Sequence, residues 1–205
     1  MIAAPSTKPT SFAELFAFYH NYVKLLYSYV QTEGALPNET LFELNAALDH
    51  VSRHWAFQES EAEAVDRAFG HLKRSCLDVF KLKLKEAARQ YDELRRVDTS
   101  IIDNGQFERE LRKLWQTIKQ GATEARRLEG SDKGPRAFDL WEPVFVNCMN
   151  FERDFYFNSK VSWARRKGLL ITIKNSLLGF LLGILASLAA AGIWTWTVKL
   201  LERRP

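Results

Sequence analysis

Large apolar residues recur at steps of three and four from the start of the chain: Phe12, Leu15, Phe16, Tyr19, Tyr22, Val23, Leu26, Tyr29 and Val30. That is the period of one helical face. Ser11-Phe12-Ala13-Glu14 has the S-x-x-E form of a capping box, and Gly34 with Pro37 would close the helix. Asn38 can cap a second helix, to about Phe57, with Leu41, Leu44, Ala47, Leu48, Val51 and Trp55 inward. Ser60-Glu61-Ala62-Glu63 repeats the start signal. A long helix to about Val97 should follow, with Val65, Phe69, Leu72, Cys76, Val79 or Phe80, Leu84, Ala87, Tyr91 and Leu94 facing inward. Asp103-Asn104-Gly105 reads as a turn.

Beyond that turn, Phe107, Leu111, Leu114, Ile118, Ala125 and Leu128 keep a 4-3-4 coiled-coil spacing with a gap at Gly121. This helix should fold back on the preceding one as an antiparallel hairpin. Residues 130–135 (GSDKGP) read as a linker. A fifth helix should begin near Asp139 or Glu142, with Pro143 in its first turn, and carry Val144, Phe145, Cys148, Met149, Phe151, Phe155 and Tyr156. No stretch alternates as a strand would. The predicted fold is all-α: a helical bundle with one long antiparallel hairpin.

The pattern then changes. Residues 175–198 contain no charged side chain. At about 1.5 Å per residue they reach roughly 36 Å, enough for a hydrocarbon core of about 30 Å. The expected organisation is therefore a flexible lead (1–10), a helical domain (11–160), a basic juxtamembrane segment (161–174), a transmembrane helix (175–198) and a short tail (199–205). Trp163, Arg165, Arg166, Lys167 and Lys174 mark one membrane interface, and Trp194 and Trp196 the other. Either residues 169–173 lie along the interface, which is the preferred placement, or the helix starts at Leu169, tilts and lets Lys174 snorkel. Gly179, Gly183, Ser187 and Ala191 are four apart and form one ridge of small residues, the form that lets two membrane helices approach closely. A homo-oligomer in contact with membrane lipid is expected.

Charge removes one class of partner. The chain carries +4 overall, but residues 155–205 hold eight basic residues against Glu202 alone, a net of +7, so the rest sums to −3. The soluble part offers no general attraction to nucleic acid. The N-terminus lacks the form of a secretory signal, and five basic residues precede the span within about 20 positions against three after it. The N-terminal domain is thus expected on the cytoplasmic side of a membrane. Cys76 and Cys148 sit in apolar helical patterns, with no metal spacing or disulfide framework.

Polar residues concentrate on helices two and three. Asp49, His50, Arg53 and His54 lie on one, and Arg67, His71, Arg74 and Asp78 follow i, i+4, i+7, i+11 on the other. Antiparallel packing would bring the two sets together, as a satisfied polar seam or as a pocket for a small anionic ligand built from Asp49, His50, Arg53, His54, His71, Arg74 and Asp78. His50 and His54 are one helical turn apart, but no third metal ligand can be assigned, so no metal and no cofactor is expected.

The strings Ala46-Ala47-Leu48-Asp49-His50-Val51-Ser52-Arg53 and Ala68-Phe69-Gly70-His71-Leu72-Lys73-Arg74-Ser75-Cys76-Leu77-Asp78 resemble the HEPN-type helical domains of bacterial defence and toxin–antitoxin systems. The resemblance covers roughly residues 40–95. It implies an α-helical domain and, in active members, RNA cleavage by an Arg and a His separated by four to six residues. Here Arg67 and His71 are separated by three. The residues it offers are Arg67 or Arg74 with His71. Otherwise no catalytic residue is assigned, since no phosphate loop, nucleophile elbow or catalytic cysteine pattern is present. The leading expectation is a membrane-anchored, self-associating interaction or effector module in bacterial defence or stress. The alternatives are a tethered HEPN-type ribonuclease and a membrane scaffold or oligomeric pore.

Overall fold

The computed structural model describes residues 8–31, 38–130 and 134–202. The chain divides into two compact units: Met1–Leu94 with Arg109–Phe157, and Arg95–Glu108 with Asn158–Pro205. Each is described by itself. Among the described residues every regular element is helical, as the apolar periodicity predicts.

The first unit is a bundle. α1 (Phe12–Phe18) passes through a π-helical stretch, Tyr19–Val23, into α2 (Lys24–Gln31). α3 (Asn38–Phe57), α4 (Glu61–Leu94), α5 (Gln106–Glu129) and α6 (Gly134–Phe151) follow, and a second π-helical stretch, Glu152–Tyr156, ends α6. α4 is the central element. Its buried residues, including Ala64, Ala68, Leu72, Cys76, Val79, Phe80 and Ala87, spread over about half of its circumference. A buried face that wide needs more than one neighbour.

Side-chain pairs fix the directions. Tyr91 stacks on Trp115 at 4.4 Å, and Lys81 meets Glu129 at 2.8 Å, so α5 runs antiparallel to α4 as the heptad spacing predicts. Phe80 packs against Phe138 and Phe145, and Gln90 reaches Glu152, so α6 runs parallel to α4. Gly121 fills the heptad gap for a reason. A Cβ there would lie 2.8 Å from Val144 Cγ2, so glycine lets α5 approach α6 closely.

Several boundaries differ from expectation. α6 begins at Gly134, so Pro135, not Pro143, occupies the first turn, and Pro143 lies inside the helix. Ser11 caps the Glu14 amide, but the Glu14 carboxylate turns back to the Thr10 amide at 2.7 Å instead of closing the box. α4 ends at Leu94. On α3, Leu41, Leu48 and Trp55 are exposed, while Thr40, Ala47 and Val51 are buried. The turn at Gly34 and Pro37, and residues 131–133 of the expected linker, lie outside the described residues.

In the second unit, Asp103, Asn104 and Gly105 all take positive φ (49°, 53° and 79°), which makes the predicted turn. Asn104 and Gly105 suit that backbone region. Asn158 caps the Lys160 amide and starts α7 (Ser159–Glu202), which packs Val161 and Ala164 inward. α7 is uninterrupted. It passes through Lys174 without a break, and its apolar candidate span is Ser176–Trp194.

Candidate functional site

Antiparallel packing of α3 on α4 does gather part of the predicted polar set. The ring of His50 stacks on His71 at 5.1 Å. His71 Nδ1 lies 2.7 Å from Glu43 Oε2, and Arg74 Nε donates to the same oxygen at 3.0 Å. Arg74 Nη2 also lies 2.7 Å from His71 Nδ1. One ring nitrogen cannot both donate to Glu43 and accept from Arg74, so the proton on Nδ1 decides which contact is a hydrogen bond. His50 Nδ1 is buried with no hydrogen-bond partner. Burial and the neighbouring charges of His71, Arg53 and Arg67 hold the His50 imidazole below its usual basicity, with Asp49 opposing.

The carboxylate at the centre, Glu43, is absent from the predicted set. It lies seven residues before His50, on the same helical face. That spacing was the available signal.

The other predicted residues stand apart. Asp49 and Arg53 pair with each other along α3 at 2.8 Å, largely in solvent. His54 Nδ1 donates to the Glu59 carbonyl at 2.8 Å and closes the α3–α4 turn, where Gln58 takes φ 60°. Arg67 pairs with Glu59 and Glu63. Burial raises the Asp78 carboxyl; Lys81 opposes this, and Glu43 and Glu39 add to it. Instead of an open cationic pocket, α3 and α4 hold a small ion cluster whose His and Arg already share one carboxylate. Among the described residues no group of three or more His, Cys, Asp or Glu is placed to hold a metal ion.

The chain matches no family model, no curated protein and no solved structure in the three comparisons made.

A second polar group lies deeper. Lys83 and Glu152 meet at 2.7 Å with both side chains buried, and Gln90 Nε2 donates to Glu152 at 2.8 Å. Tyr22 donates to Glu142 at 2.9 Å, and Tyr27 to Ser75 at 2.9 Å. Burial raises both phenols. The sequence signal for this group is that Lys83 and Glu152 fall at inward helical spacing, four after Val79 and four after Cys148.

The membrane-directed features are all on α7. One stretch, Ser176–Trp194, is long and apolar enough to cross a membrane, and none of it is buried in the protein. Gly179, Gly183, Ser187 and Ala191 are exposed on it. A Cβ at Gly179 or Gly183 would meet nothing within 4 Å. Ser187 Oγ donates to the Gly183 carbonyl at 3.0 Å, so its hydroxyl is satisfied within the helix. Trp163 is half exposed, with the Lys167 ammonium 4.9 Å from its ring centre. Arg165, Arg166 and Lys174 are exposed, as is Trp194; the Trp196 side chain lies outside the described residues.

Proposed function

We propose that this chain is a membrane-anchored interaction module: α7 crosses the bilayer once, and the helical bundle binds protein on the cytoplasmic side. The observation that carries the reading is the bare apolar surface of Ser176–Trp194. Soluble proteins rarely expose contiguous apolar patches beyond a few hundred Å2, and a bilayer supplies what the protein does not. The basic residues ahead of the span support the orientation. The resemblance to HEPN-type domains supports a defence or stress context.

Self-association belongs to the same reading. The small-residue ridge lets two α7 helices approach closely, and the gain comes from backbone contact, not water release. Gly179→Ile with Gly183→Ile tests it, because neither side chain disturbs the subunit. The purified full chain in mild detergent should fall to a smaller assembly mass than wild type. An unchanged mass would remove the ridge from the account.

The contact between His71 and Arg74 favours a second reading, RNA cleavage at that pair. Full-length protein would then degrade RNA and His71→Ala would not; inactive wild-type protein would dispose of it.

A further inference from the structure

An apolar groove of about 320 Å3 runs between α1 and α3 over α4. Its floor is made of small side chains, Ala47 and Ala68, with Leu72. Phe16 and Tyr19 form one wall, Leu44 and Leu48 the other. On α3 the wall extends into a stripe, Leu41, Leu44, Leu48, Val51 and Trp55, spaced three, four, three, four. That is heptad spacing, the pattern of a helix that expects another helix alongside it. Within the subunit only Val51 of this stripe is fully buried; Leu41, Leu48 and Trp55 are 48%, 64% and 64% exposed.

We propose that a second copy of this chain covers the groove, with the two α3 helices pairing antiparallel about a two-fold axis near Leu48. The proposal deepens the self-association reading but rests on the bundle, not on the membrane ridge. Three observations favour a second copy. First, α3 supplies both the wall of the groove and the stripe that would fill its mate, which is what a two-fold interface requires. Second, the area is of the right order. Aromatic side chains offer about 150–250 Å2 each, and Phe16 and Trp55 stand half to two-thirds exposed beside Leu41 and Leu48. That gives several hundred Å2 of apolar surface per copy, against about 800 Å2 per partner for a standard interface once its polar rim is included. Third, the positions on the outward flank of the α3 stripe, Asn45 and Ser52, are uncharged, so like charges do not meet there across the two-fold. Ser52 Oγ already donates to the Asp49 carbonyl at 2.7 Å and needs no partner outside.

Thiol cross-linking of the full chain in membranes tests the geometry, because Cys76 and Cys148 are buried and contribute no background. Leu48→Cys, treated with a short bis-maleimide, should give a band of dimer mass. Arg127→Cys on the exposed face of α5 should give little. Antiparallel pairing holds equivalent Leu41 positions about 20 Å apart along the axis, so Leu41→Cys should link several-fold less than Leu48→Cys. Leu48→Cys should still link when Gly179→Ile and Gly183→Ile are also present, which separates this face from the ridge. Equal linking at positions 41 and 48, linking only to another protein, or no link at Leu48→Cys would each overturn the proposal.

Discussion

Lys83 on α4 and Glu152 at the end of α6 meet at 2.7 Å in the interior, with side chains 3% and 8% exposed. Both lie on the apolar faces of their helices: Lys83 four after Val79, and Glu152 four after Cys148. The pair repays its desolvation only while both partners are present, because a lone buried charge is left uncompensated. Lys83→Met or Glu152→Leu alone should therefore cost about 3–5 kcal/mol. The double variant should cost clearly less than either single one. Urea unfolding of the four proteins, read by tryptophan fluorescence, checks this. Additive losses would mean that the two charges do not support each other.

Gly121 against Val144 gives a second test. Alanine at position 121 gains helix propensity of about 1 kcal/mol. It also forces a methyl against Val144 Cγ2 at 2.8 Å, and overpacking of this kind costs about 1–3 kcal/mol. Gly121→Ala should therefore be net destabilising by about 1 kcal/mol. Adding Val144→Ala should recover that increment relative to Val144→Ala alone. A stabilised Gly121→Ala protein would show that α5 and α6 are not in close contact there.

Stability should also depend on His50. Its imidazole is less basic in the folded protein than the ordinary value near 6.5. The unfolded chain therefore binds the proton more readily, and stability rises with pH across this window. The contribution is complete above about pH 6.5 and is lost as pH falls through the folded value. Urea midpoints at pH 7.5 and 5.5 should differ less for His50→Gln than for wild type. Equal differences would exclude His50 as the titrating group.

The two thiols should be silent in the folded protein. Burial, with Glu142 nearby, raises the Cys76 thiol, and burial pushes Cys148 up to about 12 against the pull of Lys83. Since the thiolate is the reactive form, maleimide at pH 7.5 should label neither cysteine until denaturant is added, and then both. Rapid labelling of native protein would show that the bundle is looser around α4 and α6 than this packing implies.

The bundle was legible in the sequence where burial follows period. Of the inward residues of α4, Val65, Leu72, Cys76, Leu84, Ala87 and Leu94 are buried as the spacing predicts, while Phe69 and Tyr91 are half-buried. The antiparallel return of α5, whose Trp115 stacks on Tyr91, was legible too. What failed was the inference from apolar to inward on α3, because period identifies a face but not whether another element covers it. Leu41, Leu48 and Trp55 repeat as core residues do, yet remain exposed. The opposite error hid Lys83 and Glu152, whose pairing depends on two helices separated by more than 60 residues. Glu43 stands outside the predicted set because histidines and arginines define that set, whereas their shared carboxylate lies one heptad before His50. The start of α6 was misplaced because Pro143 was given the first-turn role that belongs to Pro135.

Whether Ser176–Trp194 is embedded in lipid decides the account. Alkaline carbonate extraction of membranes containing the full chain, beside a variant ending before Ser176, measures this directly. The account predicts that the full chain stays in the membrane pellet and the shortened one is released. Full-length protein recovered in the soluble fraction without detergent would contradict it.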